Sequence, residues 1–116
     1  MISTTHRFHG HSSLQYLHHR AAVVRGRGLS LKYVANTKRT NYRAAVVVSK
    51  KVHKSAVVRN RIRRRIYEVI RLRVEPTLAY DFAFMVYDEA FAVIDSEQLQ
   101  KMVTGLLSKA KLTAKG

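Results

Sequence analysis

The stretch from Ser49 to Arg73, SKKVHKSAVVRNRIRRRIYEVIRLR, decides the fold because its apolar residues recur at helical spacing. Placing each residue about 100° further around a helix axis gathers five apolar side chains on one arc. They are Val58, Ile62, Ile66, Val69 and Ile70. The pattern predicts a long amphipathic helix after a basic connection over 50–54. Its end is predicted at or before Glu75, because the residue preceding Pro76 is disfavoured in the helical region.

The opposite arc of this helix is predicted to be exposed and cationic. The residues assigned to it are Asn60, Arg64, Tyr67 and Arg71, with Arg61 and Arg63 on its flanks. A fixed helix would hold the guanidinium groups at intervals of about one turn, roughly 5.4 Å. Arginine binds phosphate with two hydrogen bonds and stacks on bases, so the arc favours structured RNA over simple charge neutralisation.

Two other interpretations of this helix are a merely solvated face and a DNA-reading helix. A merely solvated face usually carries acids four residues from its bases, whereas Glu68 is the only acid between Ser49 and Arg73. A DNA-reading helix is the second interpretation, but no helix-turn-helix glycine turn or zinc ligand set accompanies it. We therefore expect RNA, and not DNA, as the partner.

The charge of the whole chain supports a polyanionic partner. Its 116 residues make one small domain with 22 Lys and Arg, 7 Asp and Glu, and a formal net charge of +15. The first acidic residue is Glu68, and 16 of the basic residues precede it. The positive charges of so basic a segment repel one another unless a polyanion such as nucleic acid neutralises them.

Composition also excludes several classes of protein. No apolar run approaches the roughly 20 residues of a bilayer span, and no signal peptide is visible, so we expect a cytoplasmic location and no membrane contact. The absence of cysteine excludes disulfides and thiolate zinc sites. His6, His9 and His11 lack zinc-site spacing, so we expect no metal site in this chain.

The acidic residues do not form a recognisable catalytic group. The acidic residues outside the central helix that cluster in the sequence lie at predicted strand ends and at a helix cap. They are Asp81, Asp88, Glu89 and Asp95, and no histidine or serine stands at a spacing typical of a catalytic group. We therefore expect structural roles for them and no catalytic residue in this chain.

The residues before Ser49 predict a helix followed by strands. Ser12 or Ser13 can cap a first helix whose apolar residues are Leu14, Leu17, Ala21 and Val24, ending near Gly26 or Gly28. Two strands are predicted at 29–35 and 42–48, paired antiparallel across a basic turn over 37–41. A third strand would lie either at 23–28 or within a split 29–35, and the sequence leaves both open.

The residues after the central helix predict a strand at 80–87 and a last helix. Asp95 or Ser96 caps that helix. Its apolar stripe consists of Leu99, Met102, Val103, Leu106 and Leu107. The order of helix, strands, helix, strand and helix predicts an α+β two-layer sandwich, a single RNA-binding domain over 1–116 with frayed ends at 1–5 and 111–116.

The segment SKKVHKSAVVRNRIRRRIYEVIR closely resembles the signature of bacterial ribonuclease P protein subunits, in which a Ser-Lys-Lys turn leads into a helix containing Arg-Asn-Arg. The resemblance extends to Arg7 before the first helix, to the strands, to the Tyr80–Asp81 strand start and to the closing helix. It implies an αβββαβα sandwich with a left-handed βαβ crossover, similar to a domain of ribosomal proteins and translocating GTPases.

The resemblance also implies a function. The substrate would be precursor tRNA, cut by an endoribonuclease to release its 5′ leader. The catalyst would be the RNA subunit with its Mg²⁺ ions, and this chain would be the accessory protein that binds both RNAs. We expect no protein oligomer.

Site residues follow from the same resemblance. The contacts with the catalytic RNA would come from Ser49, Lys50, Lys51, Arg59, Asn60, Arg61, Arg63 and Arg64, with Lys54 and Arg71 on the same surface. A cleft between the first helix and the sheet would hold the leader, where Leu14 and His18 stand at positions that are usually aromatic in the family. Tyr33 and Tyr42 could stack on unpaired bases or pack as half-buried strand residues.

The sequence leaves two alternatives to this function open. A ribosomal or general structured-RNA-binding protein would share the cationic helix without a role in cleavage. A self-sufficient nuclease would cleave without an RNA subunit, and the lack of a catalytic group argues against it.

Overall fold

The computed structural model describes residues 21–36, 38 and 40–113, which form a four-stranded sheet covered by helices. The strands are β1 (Ala22–Gly26), β2 (Leu29–Ala35), β3 (Arg43–Val48) and β4 (Tyr80–Val86). The helices are α1 (Ala56–Arg73) and α2 (Ser96–Lys109), with a 3₁₀ helix (Glu89–Ala92) between β4 and α2. These elements confirm the α+β class and the predicted order from the first strand onward.

The strands lie in the order β1-β2-β4-β3. β2 is antiparallel to both β1 and β4, while β3 is parallel to β4, as the helical crossover through α1 requires. The expected pairing of the strands at 29–35 and 42–48 is wrong, because β4 lies between them. Residues 81–86 of β4 are buried on both faces of the sheet, and only a central strand gives that burial.

Of the two predicted places for a third strand, 23–28 and a split 29–35, the first is confirmed, since β1 covers Ala22–Gly26. The placement of Ala21 and Val24 on the first helix is therefore wrong. Val23 and Val24 are β-branched and favour a strand, and Gly28 adopts a φ of +71° in the tight turn that joins β1 to β2. The remaining residues of the predicted first helix lie outside the described residues.

One face of the sheet forms the main core with the helices. The side chains of Leu31, Phe82 and Phe84 project from this face and are fully buried. They pack with Ile62, Ile66 and Ile70 of α1 and with Leu99, Val103 and Leu107 of α2. The opposite face carries a small separate cluster of Ala45, Ala83 and Met85. The two described helices thus lie on one face of the sheet, in agreement with the predicted sandwich.

The helix ends follow local capping. Ser55 Oγ accepts a hydrogen bond from Val58 N at the start of α1, and the helix ends at Arg73, before Pro76, as predicted. Asp95 caps α2, which confirms the predicted start of that helix. Neither helix in the described part of the chain is long and apolar enough to cross a membrane.

Packing continues further toward the carboxyl end than expected. Leu112 is buried, and Thr113 pairs with Val74, which directly follows α1. The predicted fraying of 111–116 is therefore wrong for residues 111–113, because an apolar side chain at 112 can still enter the core.

A buried ion pair joins the strands at one end of the sheet. Asp81 is fully buried and accepts hydrogen bonds from Arg43 Nε at 3.0 Å and Arg43 Nη2 at 2.7 Å. Asn36 Nδ2 donates to the same carboxylate at 2.8 Å. Arg43 and Asp81 are register partners on the parallel strands, so this network fixes β3 and the end of β2 against β4.

Replacing Arg43 with leucine should lower the free energy of unfolding by about 3–5 kcal/mol, because the Asp81 carboxylate would remain buried without its cation. Urea unfolding monitored by circular dichroism measures the change. The control is Lys101→Met, which breaks an exposed pair with Glu97 at 3.8 Å and should leave the unfolding midpoint unchanged. Equal midpoints for the two variants would show that the buried pair does not hold the sheet together.

Candidate nucleic-acid interface

The outward side of α1 carries a row of exposed polar and cationic side chains. Asn60, Arg61 and Arg64 are exposed, whereas Arg59 and Arg63 are partly buried beside the apolar arc. The Asn60 Oδ1 atom accepts a hydrogen bond from Arg63 Nη2. Within the described residues neither Arg61 nor Arg64 forms an ion pair, so both guanidinium groups are available to an anion.

Tyr67 does not belong to the exposed arc, and its placement there is wrong. Its side chain is buried, and its hydroxyl oxygen accepts a hydrogen bond from Val46 N at 3.2 Å. β3 is the edge strand of the described sheet, and this contact satisfies a backbone N–H that no described strand pairs. The buried arc of α1 therefore extends toward β3.

Arg65 lies on the same helix, but its side chain stabilises the fold through internal hydrogen bonds. Its Nη1 donates to Phe91 O at 2.7 Å, and its Nη2 donates to Ile94 O. These carbonyls belong to the 3₁₀ helix and to the segment leading to α2. Arg65 therefore fixes α1 relative to the segment that precedes α2. The only signal of this role in the sequence is the position of Arg65 beside the apolar arc.

The Ser-Lys-Lys turn leaves β3 and leads into α1. Ser49, Lys50, Lys51 and Lys54 are exposed, and Val52 N donates to Ser49 O at 3.0 Å within the turn. His53 Nδ1 accepts a hydrogen bond from Ser55 N at 3.0 Å. The first turn of α1 contains no acidic residue, so the positive end of the helix dipole adds to the lysine charges.

Among the described residues, an acidic partner is present only at the carboxyl-terminal part of the exposed side of α1. The Glu68 carboxylate accepts hydrogen bonds from Arg71, which lowers the pKa of Glu68. Arg71 is thus partly neutralised by its own helix, whereas Arg61 and Arg64, nearer the Ser-Lys-Lys turn, are not. The potential for binding phosphate is therefore strongest at the amino-terminal half of α1.

Three of the four acidic residues for which we expect structural roles make structural contacts. Asp88 Oδ1 accepts from Ala90 N at 2.9 Å and Asp95 Oδ2 accepts from Glu97 N at 3.2 Å, so both cap helices. Asp81 belongs to the buried ion pair. No group of three or more potential metal ligands occurs among the residues that the structure describes.

A family model described as Ribonuclease P matches residues 2–111 of the chain. The chain belongs to the ribonuclease P protein family. The ribonuclease P protein component of Roseiflexus castenholzii is 39% identical over 85 residues, covering 72% of this chain and 68% of the relative. That of a Synechococcus species is 33% identical over 90 residues, covering 65% and 69%.

Solved ribonuclease P proteins share the fold. The protein from Staphylococcus aureus superposes with a TM-score of 0.80 at 23% identity, covering 93% of this chain and 97% of that chain. The protein from Thermotoga maritima gives 0.76 at 17% identity, covering 89% and 96%. Membership of the ribonuclease P family implies an RNA partner in a ribonucleoprotein and participation in an endoribonuclease complex of tRNA processing.

The predicted RNA contacts of this ribonuclease P family member lie on one contiguous segment, the Ser-Lys-Lys turn and α1. Eight of the ten residues are exposed, the exceptions being the partly buried Arg59 and Arg63. Among the predicted leader contacts, Leu14 and His18 lie outside the described residues. Tyr33 is partly exposed and packs against the main core on the helix-covered face.

Tyr42 cannot stack on a base in this fold, and its prediction as a leader contact is wrong. The side chain is 2% exposed, and its ring centroid lies 5.6 Å from that of Phe82. Because Tyr42 directly precedes β3, its side chain turns into the core with those of Ala44 and Val46. Burial raises the pKa of Tyr42 to about 12, with Arg71 acting in the opposite direction.

The buried Tyr42 should make the fold sensitive to alkali. The unfolded phenol ionises near pH 10 and the folded one near pH 12, so its contribution to stability is complete below pH 10. That contribution is lost as the pH rises from 10 toward 12, because the unfolded state releases its proton first. Urea unfolding across this range should therefore show a steeper decline for the wild type than for Tyr42→Phe. Parallel declines would contradict the assignment.

Proposed function

We propose that this chain is the protein subunit of ribonuclease P, which binds the catalytic RNA and the 5′ leader of precursor tRNA and thereby assists removal of the leader. We call the exposed residues of the Ser-Lys-Lys turn and of the first half of α1 the α1 surface. They are Ser49, Lys50, Lys51, Lys54, Asn60, Arg61 and Arg64. The observation that carries the proposal is that Arg61 and Arg64 are exposed on a helix whose position is fixed and form no ion pair with any described residue.

The rigidity of α1 favours recognition of a folded RNA. Tyr67 attaches one side of the helix to β3, and Arg65 attaches another side to the segment before α2. The arginines of the α1 surface therefore lose little orientational freedom on binding, and preorganised contacts cost less entropy. Structured RNA presents phosphates at fixed positions, which such a rigid row can match.

Assistance in cleavage would come from charge and not from protein-borne catalysis. Bringing a catalytic RNA and a precursor tRNA together opposes two polyanions, and a chain of net charge +15 reduces their repulsion. Mg²⁺ would be held mainly by the RNA subunit, where it would supply charge neutralisation and water activation for phosphodiester hydrolysis. The acids Asp81, Asp88 and Asp95 are already engaged in an ion pair and in caps.

Arg61→Ala and Arg64→Ala should each weaken binding to a bacterial ribonuclease P RNA by about 10- to 150-fold, because each removes a charge-assisted contact of about 1.5–3 kcal/mol. Each should also reduce the slope of log affinity against log salt by about 1. Filter binding between 50 and 200 mM salt measures both quantities. The matched control is Arg73→Ala, which removes the same charge from the exposed far end of α1 and should change affinity little.

Reconstituted cleavage tests the function itself. The chain is combined with a bacterial ribonuclease P RNA and labelled precursor tRNA at low Mg²⁺, where wild type should stimulate cleavage and the double variant R61A/R64A should not. Equal stimulation by both proteins would contradict the role of the α1 surface.

The same reagents separate the alternatives. A general RNA-binding protein would bind precursor and mature tRNA equally and give no stimulation. Cleavage by the chain without the RNA subunit would reveal a self-sufficient nuclease.

A further inference from the structure

A groove lies between the turn that joins β1 to β2 and the outward side of α2. Two adjoining cavities of about 320 and about 230 Å³ form this groove, and Arg27 and Met102 line both of them. The larger cavity is within the size range of small-molecule sites. Because β1 and β3 are the two edges of the described sheet, the groove and the Ser-Lys-Lys turn lie at opposite edges.

Apolar side chains that the core holds in place line the larger cavity. Phe91 is buried, and Ile94 and Met102 are partly buried against the main core. Gln98 adds an exposed carboxamide that forms no hydrogen bond with a described residue. An apolar wall with a few polar groups is typical of a ligand site. The larger cavity therefore suits a flat, partly apolar group with polar edges.

The β1–β2 turn brings a second polar group to this cavity. Gly28 has a φ of +71°, and a Cβ atom there would lie 3.0 Å from Asp88 Cβ and 3.3 Å from the ring of Phe91. The turn therefore packs directly on the residues that follow β4. Asp88 Oδ1 accepts a hydrogen bond from Ala90 N, whereas no described residue donates to Asp88 Oδ2. One carboxylate oxygen thus remains available to an N–H donor of a ligand.

The smaller cavity has a cationic rim. Arg27, Lys101 and Lys109 line it and are exposed. Neither Arg27 nor Lys109 forms an ion pair with a described residue, and Lys101 has only an exposed pair with Glu97 at 3.8 Å, which costs little to break. Gly105 lies one turn from each lysine, and a Cβ atom there would meet no atom within 4 Å. An anion can therefore approach α2 closely between the lysines.

We propose that this groove is a binding site for a nucleotide. The base occupies the larger cavity, and the phosphates lie along the cationic rim of the smaller one. Arg27 lines both cavities, so its guanidinium group binds the phosphate nearest the base through two hydrogen bonds. The inference goes beyond the proposed function and does not depend on it, because no residue of the groove belongs to the α1 surface.

The polar groups of the larger cavity favour guanine. Asp88 can only accept hydrogen bonds, and guanine offers two neighbouring donors, N1–H and the N2 amino group, where adenine offers one amino group. Gln98 can both donate to and accept from the same edge of the base. The same combination of guanine and phosphates occurs in free GTP and at the 5′-triphosphate end of an RNA, so the chemistry of the groove suits either source.

Isothermal titration calorimetry of R61A/R64A with GTP tests the site, because this double variant lacks the competing phosphate contacts of the α1 surface. Guanosine, which lacks the phosphates, and tripolyphosphate, which lacks the base, should each bind at least about 10-fold more weakly than GTP. ATP should bind about 2- to 12-fold more weakly, the usual effect of one hydrogen bond. Equal affinities for GTP and tripolyphosphate would overturn the inference, because the base would then contribute nothing.

Substitutions in the same background locate the site. Arg27→Ala should weaken GTP binding by about 10- to 150-fold through loss of a charge-assisted contact. Gly105→Glu should weaken it by about fivefold, because it places a negative charge beside the phosphates. Gly105→Gln has the same length without the charge and should stay within about twofold. Arg73→Ala removes a cation from a separate cavity on α2 and should bind GTP normally. Unchanged affinity in Arg27→Ala or in Gly105→Glu would contradict the site.

The fold and the source of the nucleotide are checked with the same variants. Arg27 is exposed and Gly105 has space around it, so circular dichroism should show unchanged helix content in each variant. An RNA hairpin that begins with a 5′-triphosphate guanosine is then compared with the same hairpin carrying a 5′-hydroxyl. Tighter binding of the triphosphate hairpin that is lost in Arg27→Ala would identify an RNA end as a ligand. Equal binding of both hairpins, with GTP binding still dependent on Arg27, would identify the free nucleotide.

Discussion

The packing of α1 on the sheet is the constraint on which the remaining structure depends. Ile62, Ile66 and Ile70 are fully buried against the central strands, so the helix cannot rotate without exposing them. Tyr67 and Arg65 add polar contacts on its two sides, to β3 and to the segment before α2. Because packing fixes the apolar arc of α1 against the sheet, the cationic arc on the opposite side is fixed as well. The Ser-Lys-Lys turn is held at the end of β3.

Much of this arrangement is readable from residue periodicity, which reports local structure. The bounds of α1, the strand from Tyr80 and the start of α2 agree with the sequence because caps, Pro76 and apolar spacing act within a few residues. Periodicity does not say which strands are neighbours. The insertion of β4 between β2 and β3 depends on the burial of both its faces, which is a property of the assembled sheet.

The residues that sequence reasoning misplaced share a physical cause. Tyr67 is buried because the edge of β3 needs a hydrogen-bond acceptor, and Tyr42 is buried because it joins the core beside Phe82. Tyr87 ends the predicted strand at 80–87, whereas β4 ends at Val86 and the Tyr87 side chain is exposed. In each case the deciding contact comes from a residue at least 20 positions away, or from the end of an element, where alternation no longer fixes exposure.

The fold divides the basic residues into those that form internal contacts and those that are exposed on the α1 surface. For RNA binding, this division matters more than the net charge. Arg43 neutralises a buried carboxylate, Arg65 binds two carbonyl groups, and Arg71 pairs with Glu68. These arginines contribute to the long-range field, but releasing any of them to a phosphate would break an internal contact. The number of counterions displaced by RNA should therefore follow the exposed cations of the α1 surface and not the total of 22 basic residues. A sequence of equal charge without this division would attract RNA without fixing where it binds.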